Sequence, residues 1–280
     1  MKRIVFVYVL CGLVLAGCDD KVNAPENDDD VLVYISTNPL SEVKSAATAD
    51  EDMISRLILY GVDDKNMVVD TFSISQPSLE GVRLSISKTI KSLYAIANPS
   101  AVIQSAIPPS LSDLLNLTGD FTDAPQSPFL MGGKGDVVGS TADIELVRAV
   151  AKIEVSALNE FEIESVAVQN TPDKGYVFKK ETIAAPTSGR VSYPANTTNS
   201  IVYVAENSKS SPTKLLVIGT YLGKRANYTI ELTSGGKAID IVRNTYYKVG
   251  VSAVTDVDCT FTITIPEWED KKTDDHVIPD

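Results

Sequence analysis

Short segments in which apolar and polar residues alternate recur along most of this chain. Alternation with a period of two residues, rich in β-branched and aromatic side chains, is typical of β-strands with one buried face. Turn residues separate these segments. The predicted strands are Val31–Ile35, Leu57–Val62, Met67–Ile74, Val82–Ser87, Leu93–Ala97, Ile144–Leu146, Ala149–Val155, Ile163–Val168, Ile201–Ala205, Lys214–Leu222, Arg225–Leu232, Tyr246–Val254 and Cys259–Ile265.

One short helix is predicted among the strands. Ser110 is suited to cap the N-terminus of Leu111–Leu117, and Asp113 falls in the first turn. Gly119 follows the last helical residue, where glycine commonly ends a helix. The first half of the chain is therefore expected to contain one helix in a unit built mainly of strands.

Two glycine-containing stretches are interpreted as turns. Gly223-Lys224 separates two predicted strands and suits a two-residue type II′ hairpin. The glycines of Gly132-Gly133-Lys134-Gly135 are expected in a hairpin or loop. They do not form a phosphate-binding loop, because no helix follows them and the lysine is out of place.

The strand pattern restarts near Arg148, which suggests two folded units. A chain of 280 residues is long for one hydrophobic core and comfortable for two. With about seven strands in each half, two antiparallel β-sandwiches are the natural architecture. We predict an N-terminal β-sandwich over 45–147 and a C-terminal β-sandwich with a tail over 148–280.

The charge and the rare residues exclude several classes of function. A net charge of -12 offers no basic face for nucleic acid. The chain has one histidine, His276, so histidine catalysis and metal clusters are nearly excluded, and neither metal nor cofactor is predicted. Cys259 alternates with Phe261 and Ile263, which favours a buried core thiol over a nucleophile. No group of residues forms a catalytic constellation, so an enzyme is not predicted.

The first eighteen residues have the pattern of a lipoprotein leader. Lys2 and Arg3 precede an apolar run that ends in Leu15-Ala16-Gly17-Cys18. This ending resembles a bacterial lipobox, in which the cysteine is acylated and becomes the first residue after cleavage. We predict lipidation of Cys18 and anchoring in the outer-membrane lipid. A plain secretory signal that happens to contain a cysteine is the alternative.

The segment 19–44 is predicted to be a propeptide that carries the first strand. Val31, Leu32, Val33, Tyr34 and Ile35 follow an acidic run and read as a mostly buried strand. A polar linker follows, in which Lys44 is the only basic residue between Lys21 and Arg56. A trypsin-like protease could therefore release this strand, and an emptied groove would need another strand. An ordinary first strand followed by a loop is the alternative.

Several of these features together resemble the FimA-like fimbrillins, the subunits of type V pili in the Bacteroidales. The matching pieces, in chain order, are the lipobox at Cys18, the strand and linker ahead of Lys44, Arg56-Leu57-Ile58-Leu59-Tyr60, Arg148-Ala149-Val150-Ala151-Lys152-Ile153, Arg243-Asn244-Thr245-Tyr246-Tyr247-Lys248-Val249, and Glu267-Trp268. The resemblance implies two transthyretin-like β-sandwiches, export as a lipoprotein, and assembly with other fimbrial subunits by strand exchange. Carried onto this sequence, it places the cleavage between Lys44 and Ser45.

The tail after Trp268 departs from the pattern of that family. A stalk subunit should donate a long alternating strand, whereas here only Val277 and Ile278 are plainly apolar. These two residues are the predicted donor pair, and the position of the chain in a fibre stays open. The rival hypothesis is a surface-exposed carbohydrate-binding or adhesin lipoprotein that does not polymerise.

Overall fold

The computed structural model describes residues 30–37, 50–78, 81–183, 189–196, 200–234 and 236–265. Within them, regular structure is almost entirely β. The first half contains β1 (Asp30–Thr37), β2 (Arg56–Asp63), β3 (Val68–Ser75), β4 (Val82–Ser85), β5 (Ile90–Ala97), β6 (Thr118–Asp120), β7 (Met131–Asp136) and β8 (Thr141–Arg148). The second half contains β9 (Val150–Leu158), β10 (Phe161–Pro172), β11 (Lys174–Tyr176), β12 (Arg190–Asn196), β13 (Ile201–Ala205), β14 (Lys214–Tyr221), β15 (Lys224–Glu231), β16 (Thr233–Ser234), β17 (Lys237–Ala238), β18 (Tyr246–Ala253) and β19 (Cys259–Thr264).

The first half is organised around one seven-stranded sheet with the order β3-β2-β5-β7-β8-β1-β4. Neighbouring strands are antiparallel, except that β1 and β8 run parallel. All seven strands contribute apolar side chains to the same core cluster, from Phe72 and Ile74 at one edge to Val82 and Leu84 at the other. The sheet therefore curls around its own core, with β1 close to one edge.

Two short helices cover the opposite face of β2 and β5. In α2 (Leu111–Leu115), the Ser110 hydroxyl accepts a hydrogen bond from the Asp113 amide at 3.3 Å, which confirms the predicted cap, although the helix ends two residues earlier than predicted. The other helix, α1 (Ala101–Gln104), was not predicted because one turn leaves no helical periodicity. Ile103 of α1 and Leu114 of α2 are buried in one apolar cluster with Ile96 and Tyr60 of the sheet.

The second half is a β-sandwich of two four-stranded sheets, ordered β12-β10-β14-β15 and β13-β9-β18-β19. Its core interleaves Val166 and Val217 from the first sheet with Val155 and Val249 from the second. The pair β9–β18 is parallel, and the other strand pairs are antiparallel. The predicted all-β fold class is confirmed, with one parallel pair in each half.

β8 belongs to the seven-stranded sheet of the first half, and β9 belongs to a sheet of the second half, with Ala149 between the two strands. The exact domain boundary at Arg148 stays a prediction. Contacts also cross between the halves, since β11 pairs with β6 and Val177 is buried against the helices of the first half. No helix in the described part of the chain is long and apolar enough to cross a membrane.

The turn or loop predicted at Gly132–Gly135 is wrong, because these glycines lie inside β7, a central strand. Their role is close backbone approach. A Cβ atom would lie 2.7 Å from the Val177 carbonyl oxygen at Gly132, and 2.3 Å from the Glu145 carbonyl oxygen at Gly133. A side chain at either position would therefore require the backbone to shift.

The hairpin between β14 and β15 is also displaced by one residue from its predicted position. Leu222 and Gly223 both have positive φ, at 49° and 75°, which fits a type I′ turn and not the predicted type II′. Positive φ is unusual for leucine, so the sequence predicted the turn at the next two residues, Gly223 and Lys224. The register of the strands imposes this turn.

Candidate functional site: the first strand and its groove

Most side chains of β1 are buried, as predicted for Val31–Ile35. Val31, Val33 and Ile35 enter the core of the first half, and Val33 is completely inaccessible. Leu32 is buried as well, close to Gly81. Tyr34 is 40% exposed. The strand is thus an integral part of the core.

The groove is the space between β8 and β4 that β1 fills. On one side β1 runs parallel to β8, with Leu32 opposite Thr141 and Thr37 opposite Leu146. On the other side it runs antiparallel to β4, with Val31 opposite Leu84 and Val33 opposite Val82. In the described part of the sheet, β4 pairs with no other strand. Loss of β1 would therefore leave two strand edges unpaired and a strip of apolar core exposed.

A basic surface, the groove mouth, lies where β1 begins, and Arg83, Lys88 and Lys91 form it. The carboxylate of Asp30 lies 3.9 Å from the Arg83 guanidinium. Lys88 and Lys91 line a cavity of about 270 Å³ beside Val31. The remaining lining residues are Ile86, Ser87, Ile90, Val137 and Gly139. The mouth thus combines positive charge at its rim with an apolar floor.

After the undescribed segment 38–49, a polar cluster lies close to the first described residues of the body. This junction cluster has a buried centre of Glu51, Arg148 and Lys152, and the partly exposed Asp52, Tyr203 and Asn244 contact that centre. The Lys152 ammonium donates to the Glu51 carboxylate at 2.8 Å, and the Tyr203 hydroxyl donates to the same carboxylate oxygen. Glu51 is only 1% exposed and Lys152 4%. Two opposite charges thus satisfy each other inside the protein.

Arg148 completes the junction cluster from the end of β8. Its guanidinium donates to the Glu51 carbonyl oxygen at 3.1 Å, to the Asn244 side-chain oxygen at 2.7 Å, and to the Asp52 carboxylate. Burial lowers the pKa of Arg148, and the nearby Asp52 and Glu51 charges oppose that shift. Burial, and then the hydrogen bond to Glu51, raises the pKa of Tyr203. The cluster fixes residues 51–52 to both halves of the chain.

A second buried ion pair lies within the second half, where it holds the segment 176–177 that packs against the helices of the first half. Arg243 donates to the Glu206 carboxylate at 3.1 Å, and to the carbonyl oxygens of Val177 and Tyr176 at 2.8 Å each. Both Arg243 and Glu206 are more than nine-tenths buried. Arg148 and Arg243 each belong to segments that carried the sequence resemblance, but their roles as buried connectors depend on partners far away in sequence.

The described residues on either side of the segment 38–49 lie near the end of β8. Thr37, the last residue of β1, is opposite Leu146, and Asp52 contacts Arg148 two residues further along. A single cut within 38–49 would therefore separate β1 from the body without touching the junction cluster.

Several predicted site residues cannot be placed in this geometry. Cys18, Lys44, Ser45, Val277 and Ile278 lie outside the described residues. The described part of the chain contains no cluster of three or more potential metal ligands. Sequence analysis missed Glu51, because an isolated glutamate in an acidic linker gives no sign of burial.

Comparison with known proteins identifies the fold. No family model matches the sequence, and no curated protein matches it. A protein assigned to cell adhesion from Bacteroides eggerthii is 16% identical, with a TM-score of 0.60 over 88% of this chain and 98% of that chain. The tip fimbrial protein Mfa3 from Porphyromonas gingivalis, with a C-terminal truncation, is 14% identical, with a TM-score of 0.59 over 85% of this chain and 100% of that chain.

A third solved structure agrees with these two. A fimbrial assembly protein from Parabacteroides distasonis is 14% identical, with a TM-score of 0.58 over 84% of this chain and 98% of that chain. In each case nearly the whole of the other chain is matched. The resemblance to fimbrial proteins of the Bacteroidales is thus confirmed at the level of the fold: this chain shares its β fold with these fimbrial and cell-adhesion proteins.

Proposed function

We propose that this chain is a structural subunit of a cell-surface fimbria, which matures by losing β1 and assembles when another subunit supplies a strand to the groove. The observation that carries this proposal is the position of β1. It is a core strand, yet it joins the body only through the segment 38–49, which holds Lys44. The similarity of the fold to that of fimbrial proteins supports the same role as a fimbrial subunit.

The energetics of the groove favour replacement of the strand. Four apolar side chains of β1 are buried, namely Val31, Leu32, Val33 and Ile35. Burial of such side chains stabilises a protein by about 1.5–3 kcal/mol each, before the entropy of ordering the strand is subtracted. A subunit that has lost β1 therefore has a strong drive to bind another extended segment by β-strand addition.

Cleavage between Lys44 and Ser45 would produce the form that assembles. The junction cluster holds Glu51 and Asp52 in place, so the body begins from a fixed point after the cut. We use "precursor" for the chain that retains β1 and "matured form" for the chain that begins at Ser45.

Export would follow the lipoprotein route. Acylation at Cys18 would hold the precursor in the outer membrane, with the other fimbrial subunits as its assembly partners. Cleavage after Lys44 would separate the body from that anchor. The acyl chain thus anchors only the precursor, whereas the groove takes part in assembly of the fibre.

The alternative, a carbohydrate-binding lipoprotein that does not polymerise, has less support. Sugar-binding surfaces are typically rich in exposed aromatic rings. Among the aromatic residues whose exposure is described, Tyr34 alone is more than a third exposed, and it lies on β1 itself.

The proposal is tested by comparing the assembly states of the two forms. The precursor should remain monomeric in light scattering, and cleavage after Lys44 should be followed by association or by elongated assemblies in electron microscopy. A hydrophobic dye should bind the matured form before it associates. A matured form that has lost residues 30–37, stays monomeric at high concentration and binds no more dye than the precursor would contradict strand exchange.

A further inference from the structure

Two adjoining cavities lie between the halves of the chain, beside the loop 122–128. The first has a volume of about 480 Å³ and the second of about 410 Å³. Residues from both halves line each of them, and the two cavities share Ala124, Pro125, Gln126 and Phe129. We call the two together the central cleft. No residue of β1 lines it, so the cleft is a feature separate from the groove.

The lining of the central cleft is acidic. All of its residues are described, and they include no lysine, arginine or histidine but four carboxylates, which belong to Asp50, Glu51, Asp120 and Asp123. Lys152 compensates the charge of Glu51. Within the described part of the chain, neither Asp50 nor Asp123 forms an ion pair. The cleft therefore repels anionic groups and attracts cationic ones.

Tyr193 connects the acidic side of the second cavity to the first. Tyr193 lines the first cavity, and its hydroxyl donates to the carbonyl oxygen of Phe121, which lines the second, at 2.8 Å. Burial raises the pKa of Tyr193, and the charges of Asp120 and Asp123 add to that shift. The carboxylates of the second cavity thus contribute to the electric field at the wall of the first.

One acceptor in the wall of the first cavity is unused. Glu51 lines this cavity and is only 1% exposed. Its Oε1 atom accepts from Lys152 and Tyr203, whereas its Oε2 atom has no hydrogen-bond partner among the described residues. A buried carboxylate oxygen without a donor lowers stability. A donor group that enters the cavity beside Glu51 would remove that cost.

We propose that the central cleft binds the guanidinium group of an arginine side chain presented by a partner protein, with the guanidinium between Asp50 and Glu51. A guanidinium has five N–H donors, accepts no hydrogen bond and always carries its charge, so it matches carboxylates that can only accept. Its planar fork can donate to two carboxylates at once. An uncharged, hydroxyl-rich ligand would gain nothing from the negative field of the cleft.

The same field distinguishes an arginine side chain from free arginine. The free amino acid carries an α-carboxylate, which the acidic lining repels. Within a polypeptide that carboxylate is replaced by a neutral amide, and only the guanidinium charge remains. The cleft therefore favours arginine within a chain, which makes it a docking site for another protein.

Binding of small probes to the precursor tests the inference. The probe is N-acetyl-arginine methylamide, and its neutral counterpart is N-acetyl-citrulline methylamide, which has nearly the same shape. In ligand-observed NMR titrations at low ionic strength, the arginine probe should bind at least about tenfold more tightly than the citrulline probe, because only it makes charge-assisted hydrogen bonds. Free arginine and N-acetyl-lysine methylamide should both bind more weakly than the arginine probe.

Two exposed carboxylates of the cleft identify the contact. Asp50→Asn with Asp123→Asn should weaken the arginine probe about tenfold and leave the citrulline probe unchanged. The matched control is Asp64→Asn with Asp70→Asn, which changes the net charge equally at exposed positions outside the cleft. The control should leave both probes unchanged.

The possible results separate the parts of the proposal. Equal binding of the arginine and citrulline probes, or no binding of either, would overturn recognition of a cation. A lysine probe as tight as the arginine probe would overturn the choice of a guanidinium. Equal weakening by the cleft variant and its control would show a general effect of charge and overturn the assignment to the cleft. None of these results bears on the proposed loss of β1, because β1 does not line the cleft.

Discussion

The ammonium group of Lys152 lies 2.8 Å from the carboxylate of Glu51, and both side chains are almost completely buried. This ion pair joins the first residues after the segment 38–49 to β9 in the second half. It therefore fixes the point at which the body begins.

The ion pair leads to a first prediction about stability. Glu51→Gln should lower the free energy of unfolding by roughly 3–5 kcal/mol, because it leaves Lys152 charged and buried without its counter-charge. The double variant Glu51→Gln with Lys152→Met should recover much of that loss. Urea denaturation of the precursor and of the matured form measures both effects. We expect the same loss in both forms, and a loss confined to the precursor would contradict the role assigned to the junction cluster.

The second prediction concerns the first site of proteolysis. Limited trypsin treatment should cut the folded precursor first after Lys44, since polar loops are favoured sites of nicking. The bond after Arg56 should resist, because Arg56 begins β2 and its side chain donates to Gln104 at 2.9 Å. Mass spectrometry identifies the products. Lys44→Gln is the control and should slow this cut selectively, whereas early cleavage elsewhere with Lys44 intact would count against a removable strand.

The third prediction tests the burial of β1. Val33→Asp should destabilise the precursor by roughly 3–5 kcal/mol, because an unpaired carboxylate would enter the core. Ser36→Asp, on the exposed face of the same strand, is the matched control and should have little effect. Thermal or chemical denaturation gives the difference. The Val33→Asp precursor should also bind hydrophobic dye as the matured form does, and a variant as stable as the natural precursor would be inconsistent with a buried β1.

The fourth prediction is a loss of stability at alkaline pH. Burial raises the pKa values of Tyr60, Tyr193, Tyr203 and Tyr247 in the folded state. The unfolded chain therefore loses these protons first, and stability should be complete below about pH 10 and fall as the pH rises further. Denaturation at a series of pH values measures the slope. Tyr203→Phe should make it shallower, and a slope that does not change would show that Tyr203 contributes no such term.

The fifth prediction concerns the anchor. Cys18→Ala should leave the precursor without acyl chains and unable to remain with membranes, because the lipobox reaction requires the thiol. Mass spectrometry and membrane fractionation provide the measurements. Cys11→Ala, within the leader, is the matched control and should be acylated normally. Acylated, membrane-bound Cys18→Ala protein would refute the lipobox assignment.

The alternation of side chains was sufficient to predict most of the long strands, because burial on one face of a sheet imposes a period of two residues, but it did not predict the glycine-rich β7, β12 or the shortest strands. The buried strand at Val31–Ile35 and the Ser110 cap could be predicted for the same local reasons, since each depends on residues close in sequence. The resemblance to fimbrial proteins, read from short segments, agrees with the fold.

Which strands pair with each other, and which charged residues are buried, could be determined only from the tertiary structure. Nothing local indicates that β1 runs parallel to β8, because the partners are far apart in the chain. Gly132 and Gly133 occupy a central strand because other backbone segments approach them closely, and glycine preference alone points to a turn. Glu51 is buried because Lys152 and Tyr203 reach it from β9 and β13. Local sequence specifies which face of a strand is apolar, whereas long-range packing selects the strand beside it and the charges that can be buried there.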